Sequence, residues 1–167
     1  MDIVIEKMKI EQANKCDISI LVTLLRDSFK DVAQKYGLTI ENCPKHVAFY
    51  TKERLDEDFD KGMKYYILYV DNEPYGCVAL KQAKPEVCYL GRLAVLPEHR
   101  NKGYGEALVN YIFKQADLSG AQREEIGMIS KDRKLKNWYR KFGFVNKGTK
   151  KFNDFPFTVA FMYKNIV

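Results

Sequence analysis

The sequence predicts an α/β (α+β) fold in which a central mixed, largely antiparallel, twisted sheet carries helices on both faces. Three observations point there. "KYYILYVDNEPYGCVALKQ" sets two runs rich in β-branched and aromatic residues on either side of a turn cluster, DNEP, and reads as an antiparallel hairpin. "RLAVLPEHRNKGYGEALVNYIF" (92–113) is an apolar run broken at Pro97, then two close glycines, then apolar residues at helical spacing: strand, turn, helix. Strand and helix patterns also alternate along the rest of the chain, which suits a layered sheet rather than a bundle or a sandwich.

Taken in order, "DIVIEKMKI" alternates Ile3 and Ile5, then after a slip Met8 and Ile10, and predicts an irregular strand. "DISILVTLLRDSFKDVAQKYG" predicts a helix with Asp17 or Ser19 as cap. Its apolar face is Ile20, Leu21, Leu24, Leu25 and Phe29, and Gly37 is its stop. A second helix follows around "TKERLDEDFDKG", ending at Gly62. After the hairpin, "EVCYLGRLAV" is another strand and "GYGEALVNYIFKQADLSG" a helix, with Ala107, Leu108, Tyr111, Ile112 and Gln115 along one stripe. "EEIGMIS" is a short strand, "RKLKNWYRKFG" a helix closed by Gly143, and "FPFTVAFMYKNI" a final strand with room for one more beside it. The order is β-α-α-β-β-β-α-β-α-β(β).

The 167 residues are enough for one well-packed domain, taken as 1–167, and too few for two ordinary ones. A 46% apolar and 30% charged composition excludes a disordered chain, and no apolar run is long enough to span a bilayer. The N-terminus interleaves acid and base with no signal-peptide pattern, so the expected compartment is the cytoplasm. Cys16, Cys43, Cys77 and Cys88 have no CxxC spacing and read as free thiols. "CPKH" could offer Cys43 and His46 to a metal, but the other histidine, His99, lies far along the chain. No metal is expected, and the pair may as well line a pocket or sit in a plain loop. The net charge of +6 gathers in "KDRKLKNWYRK" and "NKGTKK" without a continuous basic stripe, which argues against nucleic acid as the partner.

A strand, a glycine-containing turn and a helix form a favourable site for phosphate. The first amides of a helix lack intrahelical acceptors, and the helix dipole makes that end positive. Gly103 and Gly105 would let a diphosphate approach the backbone, with Arg100 and Lys102 adding charge nearby. A helix start packed against a strand would read the same way. Walker and dinucleotide patterns both fail: there is no GxxxxGK[ST], and position 108 is leucine.

"RNKGYG" matches the [Q/R]-x-x-G-x-[G/A] signature of the GNAT superfamily of N-acetyltransferases, and "LAVLPEHRNKGYGEALV" resembles that family's cofactor-binding segment. "LKNWYRKFGFVNKGTK" is similar to its second conserved region, A-x-x-x-Y-x-x-x-G-F. The resemblance spans roughly residues 60 to 165. It implies a GNAT-like fold and transfer of an acetyl group from acetyl-CoA to a primary amine of a small molecule, amino acid or peptide, by direct attack. It also implies that acetyl-CoA lies where the fourth and fifth strands part. Main-chain groups of Leu93, Ala94 and Val95 would pair with the pantetheine. Amides of Arg100, Asn101, Lys102, Gly103, Tyr104, Gly105 and Glu106 would wrap the pyrophosphate. Tyr139 falls at the family's general acid, though it also lies on one helical face with Leu135, Trp138 and Phe142.

The general base is less defined. The family's strand positions fall on Tyr89 and Gly127, neither a carboxylate, and Glu86, Glu125, Tyr89 or a water relay remain as candidates. Asp132 stands where many members carry an asparagine. A non-catalytic acyl-CoA sensor on the same fold is the alternative function, and a homodimer is a candidate assembly.

Overall fold

A computed structural model of the protein describes residues 6–166. Seven strands form one sheet: β1 (Met8–Gln12), β2 (Lys64–Val70), β3 (Glu73–Lys84), β4 (Val87–Val95), β5 (Arg123–Ile129), β6 (Val145–Lys151) and β7 (Thr158–Asn165). Four helices accompany them: α1 (Ile18–Lys35), α2 (Lys52–Asp60), α3 (Tyr104–Leu118) and α4 (Arg133–Arg140). The spatial order is β1-β2-β3-β4-β5-β7-β6, antiparallel throughout except between β4 and β5. The expected order of elements is the observed one. Met8 and Ile10 of the first predicted strand lie in β1, whereas Ile3 and Ile5 fall outside the described residues.

Local chemistry sets most boundaries. The start of α1 is prepared by a short 3-10 turn, Lys15–Asp17, closed by a capping box: the Asn14 side chain accepts from the Cys16 amide, and the Asp17 side chain accepts from the Asn14 amide. Asp17 is therefore part of the cap, but through Asn14 rather than by bonding the helix itself. Thr51 caps α2 by accepting from the Arg54 amide. The β2–β3 turn is tighter than DNEP suggested. Asp71 and Asn72 alone take left-handed φ of 50° and 68°, the two-residue hairpin turn that suits strand twist, and Glu73 and Pro74 belong to β3.

The sheet is buried on both faces, which is why β2 reads as an unbroken apolar run. Tyr65 and Ile67 pack with Leu21, Leu24, Leu25 and Leu55 beneath α1 and α2. Tyr66 and Leu68 pack on the other face with Leu108, Val109, Ile112 and Tyr139 beneath α3 and α4. The buried side of α3 is Tyr104, Leu108, Val109, Ile112 and Ala116, turned slightly from the expected stripe, with Gln115 at its margin. A third cluster joins the α1–α2 connection to the β6–β7 connection, setting Leu38, Cys43 and Ala48 against Ile129, Phe155 and Phe157. Lys45 and Asp154 pair across these connections at 2.9 Å. Among the described residues no helix is long and apolar enough to cross a membrane.

Leu108 anchors α3 and is wholly buried. Leu108→Ala is expected to cost about 2–5 kcal/mol in denaturant unfolding, through lost burial and the cavity left behind.

Candidate functional site: a parted sheet beside a glycine-led helix

β4 and β5 pair over three rungs only, Val87↔Arg123, Cys88↔Glu124 and Tyr89↔Glu125. Beyond them the strands separate. β5 remains paired to β7 as far as Ile129↔Val159, and β4 remains paired to β3 as far as Val95↔Gly76. Each arm is thus held from outside, and the edges facing each other carry no ladder partner. A bulge helps to turn β4 away. Cys77 pairs with Ala94 and Ala79 with Gly91, so β4 carries one residue more than β3 here, and Arg92 takes a left-handed φ of 49°.

The open arm of β4 ends in Leu93, Ala94 and Val95. Ala94 packs toward α1 and α2, while Leu93 and Val95 face the α3 side. The chain then turns through Pro97–His99 into the loop at 100–103 and the start of α3. Asn101 and Gly103 both have left-handed φ, 63° and 86°. Gly103 is the N-cap and supplies no side-chain cap, so the leading amides of α3 lack a side-chain partner.

The two glycines are bare for different reasons. A Cβ on Gly103 would meet nothing within 4 Å, so its backbone angle is what demands glycine and the space beside it is open. A Cβ on Gly105 would come within 3.3 Å of the Trp138 ring, so this glycine lets α4 approach α3. Tyr104 turns inward, donating its hydroxyl to Glu6 at 2.9 Å and packing edge-on against Tyr75. Lys102 and Glu106 are exposed.

Arg100 behaves differently from the charge expected beside a phosphate. Its guanidinium donates to the Val95 carbonyl (3.1 Å), the Ser28 carbonyl (2.6 Å) and the Asp31 carboxylate (2.6 Å). That hydrogen bond holds the Asp31 carboxyl below its ordinary range. The side chain therefore ties the loop to α1, while the Arg100 amide closes the preceding turn on the Pro97 carbonyl at 3.4 Å.

Tyr139 sits on α4, 6% exposed, with its ring against Trp138 and Phe144. Burial pushes its phenol up. Its hydroxyl makes no hydrogen bond among the described residues. Asp132 caps α4, its Oδ1 accepting from the Leu135 amide at 3.1 Å.

At the point where the strands part, Glu125 accepts from Lys147 at 2.7 Å, with Arg123 at 3.6 Å. Burial works to raise its carboxyl, but the bonds from Lys147 and Tyr89 prevail and hold it below the usual range. Burial, then the Glu125 carboxylate, push the Tyr89 phenol up. From this last rung an open cavity of about 500 Å³ extends back over the paired start of the two strands, lined by Lys84, Glu86, Tyr89, Arg123, Glu125 and Lys147 among others. Glu86 is exposed at the β3–β4 turn, and Gly127 packs under Phe161. Cys43 is fully buried in the third cluster. The His46 Nδ1 caps the turn at 47–49, accepting from the Ala48 amide, and burial lowers its pKa. Among the described residues no three His, Cys, Asp or Glu side chains gather as metal ligands would.

Two features escaped the sequence. Arg92 reaches under α2, donating from Nε and Nη2 to the Tyr50 hydroxyl at 3.2 and 2.8 Å. Glu124 is wholly buried, neither carboxylate oxygen has a hydrogen-bond partner among the described residues, and burial pushes its pKa up to about 8. Its neighbours in sequence are charged, so only the strand register shows that it points inward.

The model of the acetyltransferase (GNAT) domain family matches residues 61–146, and the chain belongs to that family. The fold is shared with solved acetyltransferase structures. A PaiA N-acetyltransferase from Thermoplasma acidophilum, in complex with coenzyme A, is 19% identical with a TM-score of 0.77, the match covering 95% of this chain and 99% of that one. The ribosomal-protein-S18-alanine N-acetyltransferase of Escherichia coli is 12% identical with a TM-score of 0.76, covering 96% and 94%. The yncA protein of Salmonella typhimurium, solved with acetyl-CoA, is 15% identical with a TM-score of 0.69, covering 96% and 94%. No curated protein sequence matches the chain.

Glu124 should make stability fall with rising pH. Its folded pKa lies above the ordinary glutamate value of 4.5, so the carboxyl is neutral in both states at low pH. Above about pH 4.5 only the unfolded chain ionises it, and the lost stability accumulates up to about pH 8. Glu124→Gln is expected to leave stability at pH 4 nearly unchanged and to raise it by roughly 3 kcal/mol at pH 8, read from denaturant curves at both values.

Proposed function

We propose that the protein is an acetyl-CoA-dependent N-acetyltransferase that acts on a primary amine by direct attack. The observation that carries this is the parting of β4 and β5 beside a helix whose first amides are uncapped. The facing strand edge at Leu93–Val95 offers main-chain groups to an extended amide chain, as an added strand would. The open space beside Gly103 and the amides from Asn101 to Glu106 suit a diphosphate, the Arg100 amide being bonded to Pro97. The residues therefore fit the group the family uses. When bound there, acetyl-CoA supplies an acetyl thioester already activated for transfer.

Tyr139 is the proton donor in this reading. Its hydroxyl has no hydrogen-bond partner among the described residues and burial keeps it protonated, so it can donate to the departing sulfur. The acceptor's proton leaves by another route. An alkyl ammonium near pKa 10.4 needs a base far stronger than a carboxylate held below its ordinary range, and Glu125 is already bonded to Lys147. Loss of the proton to water, relayed at the mouth of the cleft, suits these groups better.

Tyr139→Phe is expected to lower kcat about 100-fold while leaving the calorimetric affinity for acetyl-CoA within about threefold. An unchanged kcat at saturating acceptor would remove Tyr139 from the chemistry. With the native enzyme, kcat/KM should climb steadily from pH 7 to pH 9.5 as the amine deprotonates, without an alkaline fall from Tyr139. Gly103→Val would force a β-branched residue to φ 86° and fill the space beside the loop. It should abolish heat of binding in an acetyl-CoA titration; native affinity would exclude the docking described. Binding of acetyl-CoA without turnover of any amine would favour a sensor.

A further inference from the structure

Arg92 is the residue that the proposed chemistry does not use. It stands at the bulge of β4, immediately before Leu93, on the arm that has left β5. Its side chain lies on the α1–α2 face, where it meets Tyr50, Tyr65 and Asp58. Two donors, Nε and Nη2, converge on the Tyr50 hydroxyl, which fixes the plane of the guanidinium. Nη1 makes no hydrogen bond among the described residues. The side chain is 24% exposed.

A second guanidinium lies across the same ring. Arg54 stacks over Tyr50 at 5.2 Å and Arg92 at 5.7 Å. One carboxylate serves both: Asp58 accepts from Arg54 Nε at 3.3 Å and from the Tyr65 hydroxyl at 2.7 Å, and its Oδ2 lies 3.9 Å from Arg92. Two cations and one anion leave an excess positive charge in a place that is mostly out of water. Such an excess is costly unless an anion completes it. In the cavity over the paired start of β4 and β5, Lys84, Arg123 and Lys147 accompany Glu86 and Glu125, again one positive charge in excess.

We propose that the acceptor amine carries a carboxylate, and that Arg92, with Arg54 beside it, receives that carboxylate and so selects amino acids over simple amines and polyamines. A guanidinium held flat with free N–H groups suits a planar carboxylate better than a lysine would. This rests on the acetyltransfer reading of the same site.

The test measures free-thiol release from acetyl-CoA with a panel of L-amino acids and ω-amino acids, each set against its decarboxylated amine. At least one acid should exceed its amine in kcat/KM by about 10- to 100-fold, and Arg92→Gln should reduce that ratio to within about twofold of one. If Arg92→Gln does not fold, Arg54→Gln carries the test, with the ratio expected to drop at least about threefold. The proposal is overturned if every amine matches or exceeds its acid, or if the substitution lowers both partners equally. Either result, with acetyl-CoA binding and turnover intact, leaves the acetyltransferase reading standing. Absence of acetyl-CoA binding in calorimetry would bring down both.

Discussion

Most of what this molecule can do follows from one interrupted hydrogen-bond ladder. β4 and β5 exchange bonds over three rungs and then part, although both continue as strands. Unpaired backbone groups inside a sheet are ordinarily a liability. Here each arm is supported by its outer neighbour, β3 on one side and β7 on the other, so the gap persists without loss of either strand. The bulge at Arg92 steers one arm away. The α3 helix then presents its uncapped end at the tip of that arm, held to α1 through Arg100.

Elements governed by neighbouring residues were legible in the sequence. The helices announce themselves through period and caps, the β2–β3 hairpin through its turn, and the glycine loop through its spacing. Features set by distant contacts were not. Gly105 looked like a phosphate glycine, and a Cβ there would press within 3.3 Å of Trp138, some thirty residues on. Arg100 looked like a charge for a ligand, and its partners are Ser28 and Asp31 on α1. Glu124 and Glu125 are adjacent and chemically alike. The pleat sends one into the α3 side unpaired and the other toward Lys147, so their carboxyl pKa values move in opposite directions.

The two faces of the sheet thus differ in electrostatic character. On the α3–α4 face the polar groups are buried and neutral by preference: a phenol on α4 and an unpaired carboxyl on β5. On the α1–α2 face charged side chains are bonded to one another, as Asp58 with Arg54 and Glu125 with Lys147.

The contact between Gly105 and Trp138 has an optical consequence. The sequence contains one tryptophan, and its ring lies against the first turn of α3 and beside Tyr139. Its emission therefore comes from a single place, the seam where the glycine-led helix meets the helix that carries the phenol. Anything that settles on that helix end changes the polarity and quenching around this indole. The protein thus carries a single indole at the seam between α3 and α4.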